Sequence, residues 1–227
     1  MSPRPFPPFI AVALLACALA FAFGSASARH RSHASGGTPG DFAYYLLSLS
    51  WSPAFCLASP GAAECSGPRR FGFIAHGLWP QNEQGWPEYC DARRRVPDDV
   101  VRGIADLMPA RALVYHEWSA HGTCSGLEPE EFFALVRRAY ASVAIPPELS
   151  SPAQAIERSP AAVAAALLRA NPHLPPQSVV VTCGGQGAPR LREVHVCLDR
   201  DLRPRACSAD AVRGACKAPQ IIIPPVR

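Results

Sequence analysis

The segment HEWSAHGTCSG, residues 116–126, brings several reactive side chains together within a few positions. It holds two of the chain's 7 histidines, His116 and His121, and Glu117 directly follows the first. If this stretch is helical, Glu117 and His121 lie four residues apart and share a face. A glutamate in that position would raise the pKa of His121 and orient its ring.

This pair of histidines does not fit the helical zinc-protease motif. His116 and His121 are five residues apart and diverge by about 140° around a helix, whereas the motif H-E-x-x-H requires a spacing of four. The chain also has no C-x-x-C pair, the usual start of a structural zinc site. The sequence therefore predicts neither a metal nor a cofactor.

A second segment, FGFIAHGLWP at residues 71–80, supplies a third histidine, His76. Residues 71–75 are predicted to form a strand closed by Gly77 and Pro80, which places His76 at a strand end. We expect the two segments to meet in space. One neutral and one protonated histidine suit acid–base catalysis of phosphoryl transfer, and in RNA the 2′-hydroxyl is the nucleophile. The alternative is that these histidines are packed core residues.

The N-terminus has the features of a secretory signal peptide, residues 1–28. Arg4 is its only charged residue, its apolar stretch is short for a bilayer span, and Ala26-Ser27-Ala28 is a small-residue cleavage site. Removing Arg4 with this segment lowers the net charge from +4 to +3. A lipoprotein signal ending at Cys17 is the alternative.

The mature chain is expected to be one domain with a short polar start. Residues 29–40 are rich in Ser and Gly and predict a disordered segment, including His30 and His33. Residues 41–227 are long enough for one core. Apart from Cys17, the chain has eight of its 9 cysteines, which predicts four disulfides in an oxidising compartment. Eight cysteines allow 105 connectivities, so spacing alone decides none of the pairs.

Hydrophobic patterning predicts strands and helices in separate blocks rather than in strict alternation. Strands are expected over residues 42–51, 178–183, 191–198, 202–207 and 221–223, and helices over 98–107, 111–121, 129–143 and 159–170. Residues 56–67 are expected to form a loop. This order favours an α+β fold with a central, mostly antiparallel sheet flanked by helices and stapled by disulfides.

Three stretches resemble the ribonuclease T2 family. IAHGLWPQ at residues 74–81 and HEWSAHGTC at 116–124 are similar to the two active-site segments of that family, and SLSWSPAFC at 48–56 is similar to its first core strand. The resemblance implies an α+β, metal-independent endoribonuclease that cleaves RNA through a 2′,3′-cyclic phosphate with low base specificity. Single-stranded RNA is then the expected partner of a monomer that is secreted or periplasmic and binds neither DNA nor, after signal cleavage, a membrane.

The resemblance also implies residue roles. His76 matches the general acid, His121 the general base, His116 a phosphate-binding histidine and Glu117 their acidic partner. Trp79 either positions a nucleotide or packs in the core, and Trp118 is expected in the core. The implied disulfides are Cys56–Cys65, Cys90–Cys124, Cys183–Cys216 and Cys197–Cys207.

One position departs from the family pattern. The family usually has a lysine before the second histidine of this segment, where this chain has Ala120. His116, or an arginine such as Arg93 or Arg111, is expected to replace that cation in part. Two further hypotheses follow: a weakly active or inactive RNA-binding member of the fold, or a disulfide-stapled extracellular interaction domain.

Overall fold

A computed structural model of the chain describes residue 1, residues 36–91 and residues 94–226. Residues 2–28 of the predicted signal peptide, Cys17, the two N-terminal histidines and Arg93 lie outside these residues. Residues 36–40 belong to the segment predicted to be disordered, but Gly36 and Gly40 donate backbone hydrogen bonds to the carbonyls of Glu88 and Cys124, at 2.8 and 2.9 Å. The described residues from 36 to 226 form one compact unit. In the part of the chain that the structure describes, no helix is both long and apolar enough to cross a membrane.

The described residues form a six-stranded sheet around a central strand. Its strands are β1 (Tyr44–Trp51), β2 (Phe73–Gln81), β3 (Ile156–Arg158), β4 (Val179–Gly184), β5 (Arg190–Leu198) and β6 (Ile221–Ile223). β5 pairs with β1, β4 and β6, β2 pairs with β1, and β3 pairs with β6. Every pairing is antiparallel except β5 with β6. The predicted α+β fold with a mostly antiparallel sheet is confirmed.

The described residues form eight α-helices, and the helix predicted over 98–107 ends at Gly103 and has no side-chain cap. The helices are α1 (Ser52–Ala58), α2 (Ala63–Ser66), α3 (Asp98–Gly103), α4 (Arg111–Ala120), α5 (Pro129–Ala141), α6 (Pro147–Ser150), α7 (Pro160–Ala170) and α8 (Ala209–Arg213). In α5, Glu128 and Glu131 form a reciprocal capping box. In α7, the Ser159 side chain accepts a hydrogen bond from the Ala162 backbone nitrogen and so caps the helix.

The period-two pattern of β1 gives the sheet two different faces. Residues 45, 47, 49 and 51 belong to the main core, which is shared with α4, α5 and α7. Tyr44, Leu46, Ser48 and Ser50 alternate with them and point to the opposite face. The register with β5 sets Ser48 beside His195 and Ser50 beside Glu193. We call this opposite side of the sheet the site face.

Several predicted boundaries were wrong for identifiable reasons. β2 does not end near Gly77 but continues to Gln81, because β2 is an edge strand and Pro80 can lack a donor on the unpaired side. Residues 202–207 form no strand beyond an isolated bridge at Pro204, since Leu202 adopts a positive φ of 65°. The predicted loop at 56–67 contains the end of α1 and all of α2.

Four disulfides hold the described part of the chain together. They join Cys56 to Cys65, Cys90 to Cys124, Cys183 to Cys216 and Cys197 to Cys207. These are the same four pairs that the resemblance implied. The bond from Cys90 to Cys124 ties the loop that follows β2 to the turn that follows α4.

Candidate active site

His76 lies at a β-bulge in the middle of β2 rather than at a strand end. In the register with β1, Gly77 faces Ser48 and Ala75 faces Leu49, so His76 is the extra residue. A bulge inserts one unpaired residue and re-aims its side chain. The predicted position at a strand end is therefore wrong, and the bulge is what directs this histidine to the site face.

Two carboxylates hold the His76 ring. Its Nδ1 donates to Glu193 Oε1 at 2.5 Å, and its Nε2 lies 3.4 Å from Glu117 Oε1. Burial alone would lower the pKa of His76, but the hydrogen bond to Glu193 and the charges of Glu117 and Glu193 outweigh it and raise that pKa above 6.5. Glu193 thus fixes the orientation of the ring through Nδ1, and Nε2 is directed toward Glu117.

Glu193 and His195 belong to this site, and the sequence analysis missed both. His195 Nε2 donates to Glu193 Oε2 at 2.9 Å, and the Ser50 hydroxyl donates to Glu193 Oε1 at 3.2 Å. Burial would raise the pKa of Glu193, but the hydrogen bonds from His195 and His76 lower it strongly, so this carboxylate is ionised. Glu193 and His195, two residues apart in the strand predicted over 191–198, were the available signal, because residues at that spacing share a face of a strand.

Glu117 is buried beneath Trp79. The Trp79 indole nitrogen donates to Glu117 Oε2 at 2.6 Å, and only 1% of Glu117 is exposed. Burial raises the pKa of Glu117 to about 7, against the opposing effects of His76 and Trp79. Gly77 makes this contact possible: a Cβ there would lie 2.0 Å from Glu117 Oε2 and 2.3 Å from Trp79 Nε1.

His121 lies just beyond α4, which corrects the helical geometry expected for it. The helix ends at Ala120, and His121 has φ −124° and ψ −46° before the 3-10 turn Gly122–Cys124. The His121 backbone nitrogen still donates to the Glu117 carbonyl oxygen at 3.0 Å, but the Glu117 carboxylate contacts His76 and not the His121 ring. The expected rise in the pKa of His121 is also wrong: burial, followed by the charges of His116 and His76, lowers it to about 3.

The Trp79 ring links the histidines of the two segments. Its centroid lies 5.3 Å from those of both His76 and His121, and 5.6 Å from that of His195. Because both rings lie 5.3 Å from Trp79, the centroids of His76 and His121 are at most twice 5.3 Å apart. His116 is exposed, and its ring stands edge-on to His121 at 6.5 Å. The structure thus brings together all five residues predicted for the site.

The missing lysine is not replaced by Arg111. Ala120 is buried, and its carbonyl accepts a hydrogen bond from the Tyr89 backbone at 2.9 Å. Arg111, at the other end of α4, donates to Asp98 at 2.7 Å and to Tyr115 at 3.0 Å. The expectation for Arg111 is therefore wrong. Among the described residues, no group of three or more His, Cys, Asp or Glu side chains is placed to hold a metal ion.

The sequence was compared with known families and proteins. Residues 42–207 match the model of the ribonuclease T2 family. A ribonuclease of Aeromonas hydrophila is 32% identical over 208 residues, which cover 84% of this chain and 89% of that protein. The chain belongs to the ribonuclease T2 family. Residues 42–207 include all three stretches that carry the resemblance.

Solved structures of T2-type ribonucleases have the same fold. An RNase-related protein from Calystegia sepium superposes with a TM-score of 0.64 at 21% identity, covering 81% of this chain and 97% of its own. RNase NT in complex with 5′-AMP superposes with a TM-score of 0.57 at 19% identity, covering 82% and 99%. At these identities the likeness establishes the fold alone.

Proposed function

We propose that this chain is an endoribonuclease that cleaves single-stranded RNA without a metal or cofactor. In the reaction, the ribose 2′-oxygen forms a bond to the adjacent phosphorus, and the bond from phosphorus to the 5′-oxygen of the next nucleoside breaks. The products are a 2′,3′-cyclic phosphate and a free 5′-hydroxyl. One proton leaves the 2′-hydroxyl and one joins the departing oxygen, so two titratable groups meet the chemical need.

The observation that carries this proposal is the pair of imidazoles that flank Trp79 with opposite pKa shifts. His121, with a pKa of about 3, is neutral in weakly acidic solution and is the proposed base. His76, with its pKa raised above 6.5, is protonated there and is the proposed acid. A base must be deprotonated and an acid protonated. The rate should therefore rise with pH through the lower value and fall through the upper one, which gives an acidic optimum.

The remaining side chains have supporting roles in this proposal. His116 is exposed beside His121 and is placed to donate to a non-bridging phosphate oxygen. Glu117 faces the catalytic nitrogen of His76 and holds the indole of Trp79. Trp79 is half-buried, so part of its ring remains available to a nucleotide base. Glu193 orients His76 through Nδ1 and stabilises its protonated form.

The family and the compartment agree with this assignment. RNase NT, which shares the fold, binds 5′-AMP, and the proposed substrate is built of such nucleotides. Four disulfides suit an oxidising compartment. We therefore propose that residues 1–28 direct export, that 29–40 are the N-terminal segment of the mature chain, and that 41–227 act as a monomeric, secreted or periplasmic domain with low base specificity.

Digestion of RNA homopolymers in EDTA, at pH values from 3 to 8, tests the proposal. We expect cyclic phosphate ends, an acidic optimum and cleavage of all four polymers. His76→Ala and His121→Ala should each lower kcat by about 10²- to 10⁴-fold while the circular dichroism spectrum is retained. Wild-type rates in either variant would refute the assigned roles.

A second candidate follows from Ala120. A chain without the usual lysine stabilises the charged transition state less well, which favours a weakly active or inactive RNA-binding protein. In that case the purified chain binds oligonucleotides with micromolar affinity but produces no cyclic phosphate. An interaction domain without any affinity for nucleotides is the third outcome that the same assays distinguish.

A further inference from the structure

A groove of about 810 Å³ opens on one side of His76. Its lining includes Arg190, Arg192 and Glu193 of β5 and Phe55 of α1. The side chains on the other side of His76, namely Glu117, Trp79, His116 and His121, do not line it. His76 therefore stands between the cluster around Trp79 and a groove that has no role in the chemistry described so far.

A second β-bulge places Arg192 in this groove. In the register between β4 and β5, Thr182 faces Glu193 and Cys183 faces Leu191, so Arg192 has no partner. A bulge breaks strict alternation, and Arg192 lines the same groove as its neighbour Glu193. The charge of Arg192 acts on His76 closely enough to oppose the rise of its pKa. The two bulges thus bring a cation to the proposed general acid.

The two groove arginines have no carboxylate partner within the described residues. Arg192 forms no side-chain hydrogen bond or ion pair there, and Arg190 donates only to the Gln186 carbonyl, at 3.1 Å. Glu193, the carboxylate in the same groove, is already paired with two histidines. Most other arginines that form ion pairs lie on the outer surface: Arg111, Arg137, Arg169, Arg203 and Arg213. The groove therefore holds two positive charges available to an anion.

Reaction geometry indicates which anion this is. In an in-line displacement the attacking and leaving oxygens lie on opposite sides of the phosphorus. If His76 protonates the leaving oxygen, the departing nucleoside lies on the side of His76 away from His121, toward the groove. We infer that Arg190 and Arg192 form a subsite for the phosphate on the 3′ side of that nucleoside. Phe55, with 43% of its surface exposed on the same groove, offers a stacking face for a base.

This inference rests on the proposed function, and substrates with and without that phosphate test it. The probes are a dinucleoside monophosphate and the same compound carrying a 3′-terminal phosphate. For the wild type we expect kcat/KM to be about 10- to 100-fold higher for the phosphorylated compound, the range of a charge-assisted hydrogen bond. In Arg190→Ala/Arg192→Ala this ratio should approach one. Arg192→Lys, which keeps the charge, should retain part of the preference.

The ratio, rather than the rate itself, is the measurement, because Arg192 also influences His76. Arg169→Ala is the matched control: this exposed arginine of α7 pairs with Glu148 away from the groove and should leave the ratio unchanged. A wild-type ratio of one, or a ratio preserved in the double variant, would overturn the inference.

Binding separates failure of the subsite from failure of the proposed activity. The 2′-deoxy analogues of both probes lack the nucleophile and report affinity alone. If the wild type cleaves neither probe, the proposed function fails. A 10- to 100-fold tighter binding of the phosphorylated analogue that is lost in the double variant would still support the subsite, and equal binding of both analogues would exclude it.

Discussion

Gly77→Ala should disable the site while leaving the fold largely intact. The added Cβ would lie 2.0 Å from Glu117 Oε2 and 2.3 Å from Trp79 Nε1, whereas real Cβ contacts are essentially never under 3.0 Å. Glu117 or the strand must therefore shift by about 1 Å, a displacement that can cost about 10²-fold in rate. The Trp79–Glu117 hydrogen bond is worth about 0.5–1.5 kcal/mol of stability at pH 5, where Glu117 is protonated, and about 1.5–3 kcal/mol where it is ionised.

The assay for this variant is cyclic phosphate production from an RNA homopolymer at pH 5, combined with urea unfolding. We expect kcat/KM to fall about 10²-fold and the midpoint of unfolding to decrease. Gly103→Ala is the control, because a Cβ at that helical position meets nothing within 4 Å. It should keep full activity and gain up to about 1 kcal/mol. A Gly77→Ala enzyme with wild-type rate and stability would refute the packing of Gly77 against Glu117.

Three other predictions concern the carboxylates and a disulfide. Glu193→Gln should lower the pKa of His76, so the alkaline limb of the pH–rate profile should move to lower pH and kcat should fall about 10- to 100-fold. Glu193→Asp should restore part of the shift in the limb and part of the rate. An alkaline limb that does not move in Glu193→Gln would contradict the orienting role. The pKa of Glu117 is about 7 in the folded protein, against an ordinary value of 4.5. Between pH 4.5 and pH 7 the folded state therefore binds more protons than the unfolded state, and the free energy of unfolding falls as the pH rises through this range. Glu117→Gln should remove up to about 3 kcal/mol of this pH-dependent loss of stability. The difference between the urea midpoints at pH 4.5 and pH 8 should then be smaller than in the wild type, and an unchanged difference would contradict the raised pKa of Glu117. Replacing Cys90 and Cys124 by serine should cost about 3–4 kcal/mol and reduce cleavage, whereas full activity at wild-type stability would show that this bridge does not hold the site.

The local sequence pattern was sufficient to predict those strands and helices whose hydrophobic periodicity and end signals lie within one segment of the chain. The alternation of Leu and Ser in β1 predicted a strand because neighbouring side chains must point to opposite faces. Pro129 and Ser159 marked the starts of α5 and α7, since helix N-termini have donors without partners and select such residues. Predicted strand and helix centres were therefore closer to the structure than their ends.

The site itself was predictable only in part. His76, Glu117 and His121 were found through their motifs, but their mutual contacts were not. The helix predicted to include His121 ends at Ala120, and burial, followed by the charges of His116 and His76, lowers the pKa of His121 instead of raising it. Such a boundary depends on the turn that follows it and on the packing of that turn.

The sequence by itself determined the fold class and the number of cysteines available for bridges, because these follow from composition and short-range periodicity. It predicted the site histidines only through the resemblance of two motifs to a known family. Only the tertiary structure decided which carboxylate contacts which histidine. Glu193 reaches His76 across 117 positions of chain, and it does so because β1 lies between their strands and a bulge in β2 turns the ring toward it. A bulge exists only relative to a partner strand, so no single segment of the chain could have revealed it.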